Sequence, residues 1–251
     1  KQLKELPSIS QVIHEINSNI SLHNNYIKEI INLEIKIYRK LAQSNKLDYT
    51  RKEIIQRIIQ EVYRLDQSSI KNLINGTGIV LHTGFGRAPI SKKIIQRVAT
   101  KLDGYINLEF DLLNGKRGYR QNHLSKMCNA IFGCQSSLLV NNNASAVLLS
   151  LNSLAEGKEV IVSRGQEVEI GGSFRIPDII QKSHAKLIEI GTTNRTHLAD
   201  YEKAISSSTG VILWAHTSNY VVKGFTKEVP LKDLALLSKK KRVPLVVDLG
   251  S

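Results

Sequence analysis

The sequence predicts an α/β protein, a mostly parallel sheet covered by helices on both faces and preceded by a small all-α domain. Three observations carry that prediction. From residue 73 onward, short β-rich runs alternate with amphipathic helical stretches, the order expected of parallel strands joined by helical crossovers. The runs are apolar along their length, as in strands buried on both faces. Residues 8–65 carry only helical periodicity.

In the helical domain Ile27, Ile30, Ile31, Tyr38 and Leu41 recur at helical spacing up to the polar break Gln43-Ser44-Asn45-Lys46. Ile54, Ile55, Ile58, Ile59, Val62 and Leu65 then form one apolar stripe, with Arg51, Lys52, Arg57 and Arg64 elsewhere around the helix. Asp66-Gln67-Ser68-Ser69 reads as a joint, which divides the chain into 1–65 and 66–251. In the second domain the expected strands are Ile79–His82, Ser137–Val140, Glu159–Ser163, Ala185–Ile190, Gly210–His216 and Val243–Asp248. Helices are expected near 91–102, 121–132, 143–155, 175–184, 197–206 and 230–241. Ligands of such sheets bind beyond the carboxyl ends of the strands, so the residues following each strand are where chemistry should be sought.

Composition bounds the function. With 35 Lys+Arg against 22 Asp+Glu, the formal charge is +13, which predicts attraction to a polyanion such as nucleic acid or an anionic surface. The bland alternative is a protein that is merely basic. Cys128 and Cys134 lie close enough for a local disulfide or can pack as reduced thiols, and no paired spacing suggests a metal site. The longest apolar runs are of strand length, so no transmembrane helix is expected. The start, Lys1-Gln2-Leu3-Lys4-Glu5, lacks the apolar stretch of a secretory signal. The cytoplasm is the expected compartment.

Three constellations could carry chemistry. In Leu139-Val140-Asn141-Asn142-Asn143-Ala144-Ser145-Ala146 a strand gives way to a helix of small residues. Free N–H groups at that junction make an anion site, while asparagine is also simply a good N-cap. In Val246-Val247-Asp248 a carboxylate ends a buried strand and must be paired. The protonated ring nitrogen of a cofactor would pair it, and so would the next turn, if the Asp caps it. Arg87, in Gly86-Arg87-Ala88-Pro89, and Arg117 and Arg120, in Gly115-Lys116-Arg117-Gly118-Tyr119-Arg120, put guanidinium forks suited to phosphate oxygens among glycines; a solvated basic loop is the alternative. His216-Thr217-Ser218-Asn219-Tyr220 follows a strand, where His216 either serves a structural role or donates to a cofactor. Ser163-Arg164-Gly165-Gln166 and Gly191-Thr192-Thr193-Asn194-Arg195 read equally well as fixed turns with polar tips. Lys239-Lys240-Lys241-Arg242 ends a helix, where cations suit the dipole.

Taken together, these segments resemble the bacterial selenocysteine synthases, the L-seryl-tRNA(Sec) selenium transferases. The matching stretches are Ile74–Thr83, Gly86–Pro89, Gly115–Gly118, Val140–Ala144, Val160–Gly165, Glu169–Asp178, Gly191–Leu198, His216–Tyr220 and Asp248–Ser251. They occur in family order from Leu6 to the last residue, which is far more specific than any single glycine motif. The resemblance implies a fold-type-I pyridoxal 5'-phosphate (PLP) enzyme whose large domain is matched from about residue 73, with the helical segment matching a tRNA-binding N-terminal domain. By the same resemblance, Asn142, Asn143 and Ala144 fall where the family cradles the PLP phosphate. Asp248 falls where a carboxylate keeps the pyridine nitrogen protonated, and His216 and Ser218 lie near the ring. Arg87 and Arg120 match positions that bind the anionic selenium donor, with Arg117 as a neighbour.

The implied reaction converts seryl-tRNA(Sec) to selenocysteinyl-tRNA(Sec) with selenophosphate, by way of a PLP-bound aminoacrylate. A homo-oligomer, a ring-like decamer with sites at subunit interfaces, is implied as well. The family's PLP lysine lies downstream of the Asp matched by Asp248, and the sequence stops three residues after it. The chain is therefore expected to be an incomplete part of a longer protein, inactive alone, with a truncated product as the other reading. Two departures are Gly84-Phe85 in place of a familiar Asn-Leu, and Trp214 where a Lys often sits. Rival functions are a related PLP lyase acting on a small substrate and a non-catalytic tRNA-binding fragment.

Overall fold

The computed structural model describes residues 2–16, 19–171 and 174–250. Gly172 and Ser173 of the Glu169–Asp178 stretch, and Ser251 of the last one, lie outside the described residues, as do Lys1, Asn17 and Ser18. The chain forms two compact units, Lys1–Gly78 and Ile79–Ser251.

The first unit is helical. It contains α1 (Ile9–Glu15), α2 (Asn24–Gln43) and α3 (Arg51–Asp66). Ser8 and Thr50 open α1 and α3 with reciprocal capping boxes to Gln11 and Glu53, which satisfy N–H groups that a helix start leaves orphaned. The apolar stripes meet in one core of Val12, Ile27, Ile30, Ile31, Ile35, Tyr38, Ala42, Leu47, Ile54, Ile55, Ile58 and Val62. Leu41, Ile59 and Leu65, expected in the stripes, pack at its margin. Arg57 lies over the Tyr49 ring at 4.1 Å, so this cation covers an aromatic face.

The second unit runs α4 (Lys92–Lys101), β1 (Phe110–Asp111), β2 (Lys116–Arg117), α5 (Ser125–Phe132), α6 (Asn143–Ala155), β3 (Glu159–Ser163), β4 (Glu169–Ile170), β5 (Phe174–Arg175), α7 (Ile176–Lys182), β6 (Lys186–Ile190), α8 (Leu198–Ala204), β7 (Thr209–Ala215), α9 (Leu231–Lys241) and β8 (Leu245–Asp248). Strands β6, β3, β7 and β8, in that order, make a four-stranded sheet, parallel throughout. Two small antiparallel pairs, β1 with β2 and β4 with β5, stand apart from it.

The sheet is covered on both faces because its strands alternate between two apolar clusters. Val160, Val162, Val211, Leu213 and Ala215 pack with Val147, Leu151 and Ala155 of α6 and Ile176 and Ile180 of α7. Ile161, Ile190 and Ile212 pack on the opposite side with Tyr201 of α8 and Leu234 and Leu237 of α9. This is the α/β architecture that the alternating runs predict.

Two expected strands are absent. Ile79–His82 and Ser137–Val140 form no ladder: Val80 and Leu81 lie in a turn, and Ser137–Val140 pairs with no described strand. Instead the Gln121 amide mimics a neighbour, donating to the Leu139 carbonyl at 3.2 Å and accepting from its N–H at 3.3 Å. From Ile79 to Ala146 no described residue is buried, and Ile94, Ile95, Val98 and Phe132 stay exposed. Cys128 and Cys134 are free thiols. Among the described residues no helix is long and apolar enough to cross a membrane, and no group of His, Cys, Asp and Glu could hold a metal ion.

Candidate functional site

The order of the parallel strands fixes where a ligand crevice can open. From β3 the chain crosses outward to β6, then back past β3 to β7, so the winding reverses between β3 and β7, at whose carboxyl ends such folds bind ligands. Polar groups tie these two ends together. Gln166, in the turn after β3 and only 3% exposed, accepts from the Ala215 N–H at 3.4 Å and donates to Glu228 at 2.9 Å. The Tyr220 hydroxyl donates to the Gly165 carbonyl at 2.5 Å.

One strand further along, Asp248 ends β8 beside Ala215 and is buried. Its Oδ1 accepts from the Asn143 side-chain amide at 2.8 Å and from the Gly250 N–H at 3.0 Å. The second bond is an Asx turn, so the turn-capping reading of Asp248 holds for Oδ1. Oδ2 has no hydrogen-bond partner among the described residues. The three asparagines divide their work. Asn142 is the N-cap of α6, its side chain accepting from Ser145 N–H at 2.9 Å, while Asn143 reaches across to β8. The first-turn N–H groups of Asn143 and Ala144 have no partner among the described residues, as expected where a helix begins.

His216 and Ser218 lie on the same rim. The His216 N–H donates to the Asp248 carbonyl at 2.9 Å, and the Ser218 N–H to the His216 carbonyl at 2.9 Å. The His216 ring is exposed and sits 6.0 Å from the Trp214 ring. Ser218 Oγ is buried without a partner among the described residues. A Cβ at Gly250 would stand 2.9 Å from that hydroxyl, so glycine is needed there for the turn to close over Ser218.

Arg117 and Arg120 form a separate cluster around Glu109. Arg117 pairs with Glu109 at 2.9 Å, and Arg120 grips the same carboxylate through Nε at 2.9 Å and through Nη2. The two guanidinium groups, Arg120 foremost, hold the Glu109 carboxyl below the usual range. Arg87 is exposed, takes a left-handed backbone (φ 65°) and makes no ion pair among the described residues. No hydrogen bond or ion pair links any of the three to Asp248 or to the start of α6 among the described residues. The structure thus joins Asn142, Asn143, Ala144, His216, Ser218 and Asp248 on one rim and leaves Arg87, Arg117 and Arg120 outside it.

Near the β3 end, burial and then the neighbouring Glu189 carboxylate raise the Glu167 carboxyl to about 7, with Arg164 opposing. Sequence reasoning did not single out Glu109 or Glu167, and it read Gln166 only as part of a fixed turn with a polar tip. Gln166 looks like any turn residue until the strand order shows which ends it ties. Glu109 carries a local signal, an acidic residue shortly before two arginines in a glycine-rich hairpin.

Comparison with known proteins bears on this arrangement. The family model described as SelA, L-seryl-tRNA selenium transferase, matches residues 73–251. The chain is 42% identical over 253 residues to an L-seryl-tRNA(Sec) selenium transferase of Clostridium botulinum (strain Okra / Type B1), covering 99% of this chain and 55% of the relative. It is 45% identical over 243 residues to one from Alkaliphilus oremlandii, covering 97% and 49%, and 43% identical over 257 residues to one from Clostridium perfringens, covering 99% and 55%. The chain therefore spans about half the length of the curated relatives it matches. A solved D-glucosaminate-6-phosphate ammonia-lyase shares the fold, with TM-score 0.54 at 16% identity over 67% of this chain and 46% of that one. By the family match over most of its length, the chain belongs to the L-seryl-tRNA selenium transferase family.

Proposed function

We propose that the full-length protein converts seryl-tRNA(Sec) to selenocysteinyl-tRNA(Sec) with selenophosphate as the selenium donor and PLP as the cofactor. The observation that carries this reading is the buried Asp248 carboxylate, which ends a parallel strand, is tethered to the start of α6, and keeps Oδ2 unengaged.

The donor set fits PLP. An accessible carboxylate oxygen without a donor, on a residue otherwise buried, suits a protonated ring nitrogen. The open N–H groups of Asn143 and Ala144 at the positive end of a 13-residue helix suit a phosphate. The orphaned Ser218 hydroxyl offers one more donor on the rim.

Bound PLP would supply an electron sink for the carbanion formed when the serine α-proton leaves. Asp248 would hold the ring-nitrogen proton, and through it keep the ring electron-poor. Asn142, by capping α6, would keep the first-turn N–H groups aimed outward for the phosphate. His216 and Ser218 would orient the ring from the β7 side. Arg87, Arg117 and Arg120 would receive the anionic selenium donor, which has to displace Glu109 from the latter two. The helical unit, with its basic surface, would hold the tRNA body, and the protein would work as a homo-oligomer.

Asp248→Ala in the full-length protein should abolish selenium transfer while leaving tRNA affinity unchanged; normal turnover by this variant would refute the assignment. Binding of charged tRNA should weaken steeply with salt and be lost when residues 1–65 are removed, and unaffected binding would count against the tRNA-dependent reading.

A further inference from the structure

We infer that Asn143 is a positioning residue for Asp248: its side-chain amide fixes which oxygen of the carboxylate faces the cofactor ring, and the side chain takes no part in phosphate binding. The inference rests on the cofactor reading above and departs from the expectation that all three residues of Asn142-Asn143-Ala144 serve the phosphate.

An aspartate side chain has wide rotational freedom at its carboxyl end. Rotation about its terminal bond is broad and nearly two-fold, so a buried carboxylate without fixed donors presents either oxygen over a wide arc. In this structure both donors fall on the same oxygen. Asn143 reaches Oδ1 from 105 positions away in sequence, and Gly250 reaches it from two. The Gly250 bond is local and travels with the strand end. The Asn143 bond comes from another element, so it sets the carboxylate in the frame of α6, the helix whose open N–H groups suit the phosphate.

A single side chain would thereby fix the distance between the two ends of the cofactor site. One N–H of the Asn143 side-chain amide is committed to Asp248 Oδ1, and turning the amide toward a phosphate would break that bond. The Asn143 backbone N–H remains free for the phosphate, and that group survives any side-chain substitution.

The test uses the full-length protein and two probes, PLP and pyridoxal, which share the ring and differ by the phosphate. Asn143→Ala removes the tether and keeps the helix, since Ala is the best helix former. A lost hydrogen bond to a charged group corresponds to about ten-fold in affinity or more. The affinities for PLP and for pyridoxal should fall by the same factor, and in an Asp248→Asn background Asn143→Ala should add nothing further. The nitrogen-15 resonance of the bound ring nitrogen should also move toward the unprotonated position in Asn143→Ala.

A loss confined to PLP, with pyridoxal affinity unchanged, would return Asn143 to the phosphate and overturn the inference. So would unchanged affinity for both probes, or a full additional loss in the Asp248→Asn background. A wild-type protein that binds neither probe would instead overturn the cofactor reading itself, a result distinguishable from the others because it needs no variant.

Discussion

Gly191→Ala tests how the loops beyond the strand ends are locked. Gly191 follows β6 with φ +66°, and a Cβ there would stand 2.2 Å from Thr196 Oγ1 and 2.8 Å from the Arg195 carbonyl. Thr196 is buried, and its hydroxyl shares a 2.7 Å hydrogen bond with Ser163 at the end of β3. Two costs follow. A non-glycine residue in the left-handed region costs about 1–2 kcal/mol. Pushing Thr196 aside leaves a buried hydroxyl unpaired, about 1–3 kcal/mol more. Gly157 is the control, since it has φ +69° with nothing within 4 Å of its added Cβ, and Gly157→Ala should carry only the first cost. In urea titrations of the full-length protein followed by far-UV circular dichroism, a slope of about 2 kcal/mol per molar turns a total near 3 kcal/mol into a midpoint drop of roughly 1.5 M for Gly191→Ala. Gly157→Ala should drop by about 0.5–1 M, the first cost alone at the same slope. Equal midpoints for the two variants would refute the lock between Thr196 and Ser163.

Three further outcomes are expected. The Glu167 carboxyl is raised to about 7 by burial and by Glu189, so the stability linked to its proton is present at pH 4 and lost as the pH rises through 7. Glu167→Gln should therefore match wild type near pH 4 and exceed it by about 1 kcal/mol at pH 8, after allowance for solvent screening, in thermal midpoints measured across pH; a difference constant with pH would contradict this. Ile58, wholly buried in the helical core, should cost about 2–5 kcal/mol when cut to Ala, lowering tRNA affinity at 37 °C while PLP absorbance stays at the wild-type level, and loss of both together would argue against separate roles for the two units. Arg87→Ala should raise the selenophosphate requirement about ten-fold, as for a lost charge-assisted hydrogen bond, and an unchanged requirement would remove Arg87 from the donor site.

The central sheet was legible because β3, β6, β7 and β8 are apolar runs flanked by helical periodicity, and each lies within a residue or two of its expected bounds. Helix α6 was legible to the residue, through the Asn cap and the small residues behind it. Ile79–His82 and Ser137–Val140 have the same composition and still form no strand, because propensity describes one segment whereas a ladder needs two. The hairpin of β1 and β2 lay hidden in what reads as a basic loop. At the candidate site, sequence left two readings open for the asparagines and two for Asp248. The structure realises the bland ones, the N-cap at Asn142 and the Asx turn at Asp248, and adds the Asn143 bond between them. That bond spans 105 positions, and no local pattern encodes it. The Glu109 pairing with Arg117 and Arg120 escaped notice for a different reason: a carboxylate shared by two exposed arginines leaves no trace in hydrophobic periodicity.

The most direct measurement is the visible absorption spectrum of the full-length protein before and after borohydride, with peptide mapping of the reduced adduct, on wild type and Asp248→Ala in parallel. The wild-type protein should be yellow, with a band that borohydride bleaches onto a lysine, and the variant should bind PLP weakly. A protein that stays colourless with added PLP, or a variant whose affinity for PLP equals wild type, would contradict the PLP reading.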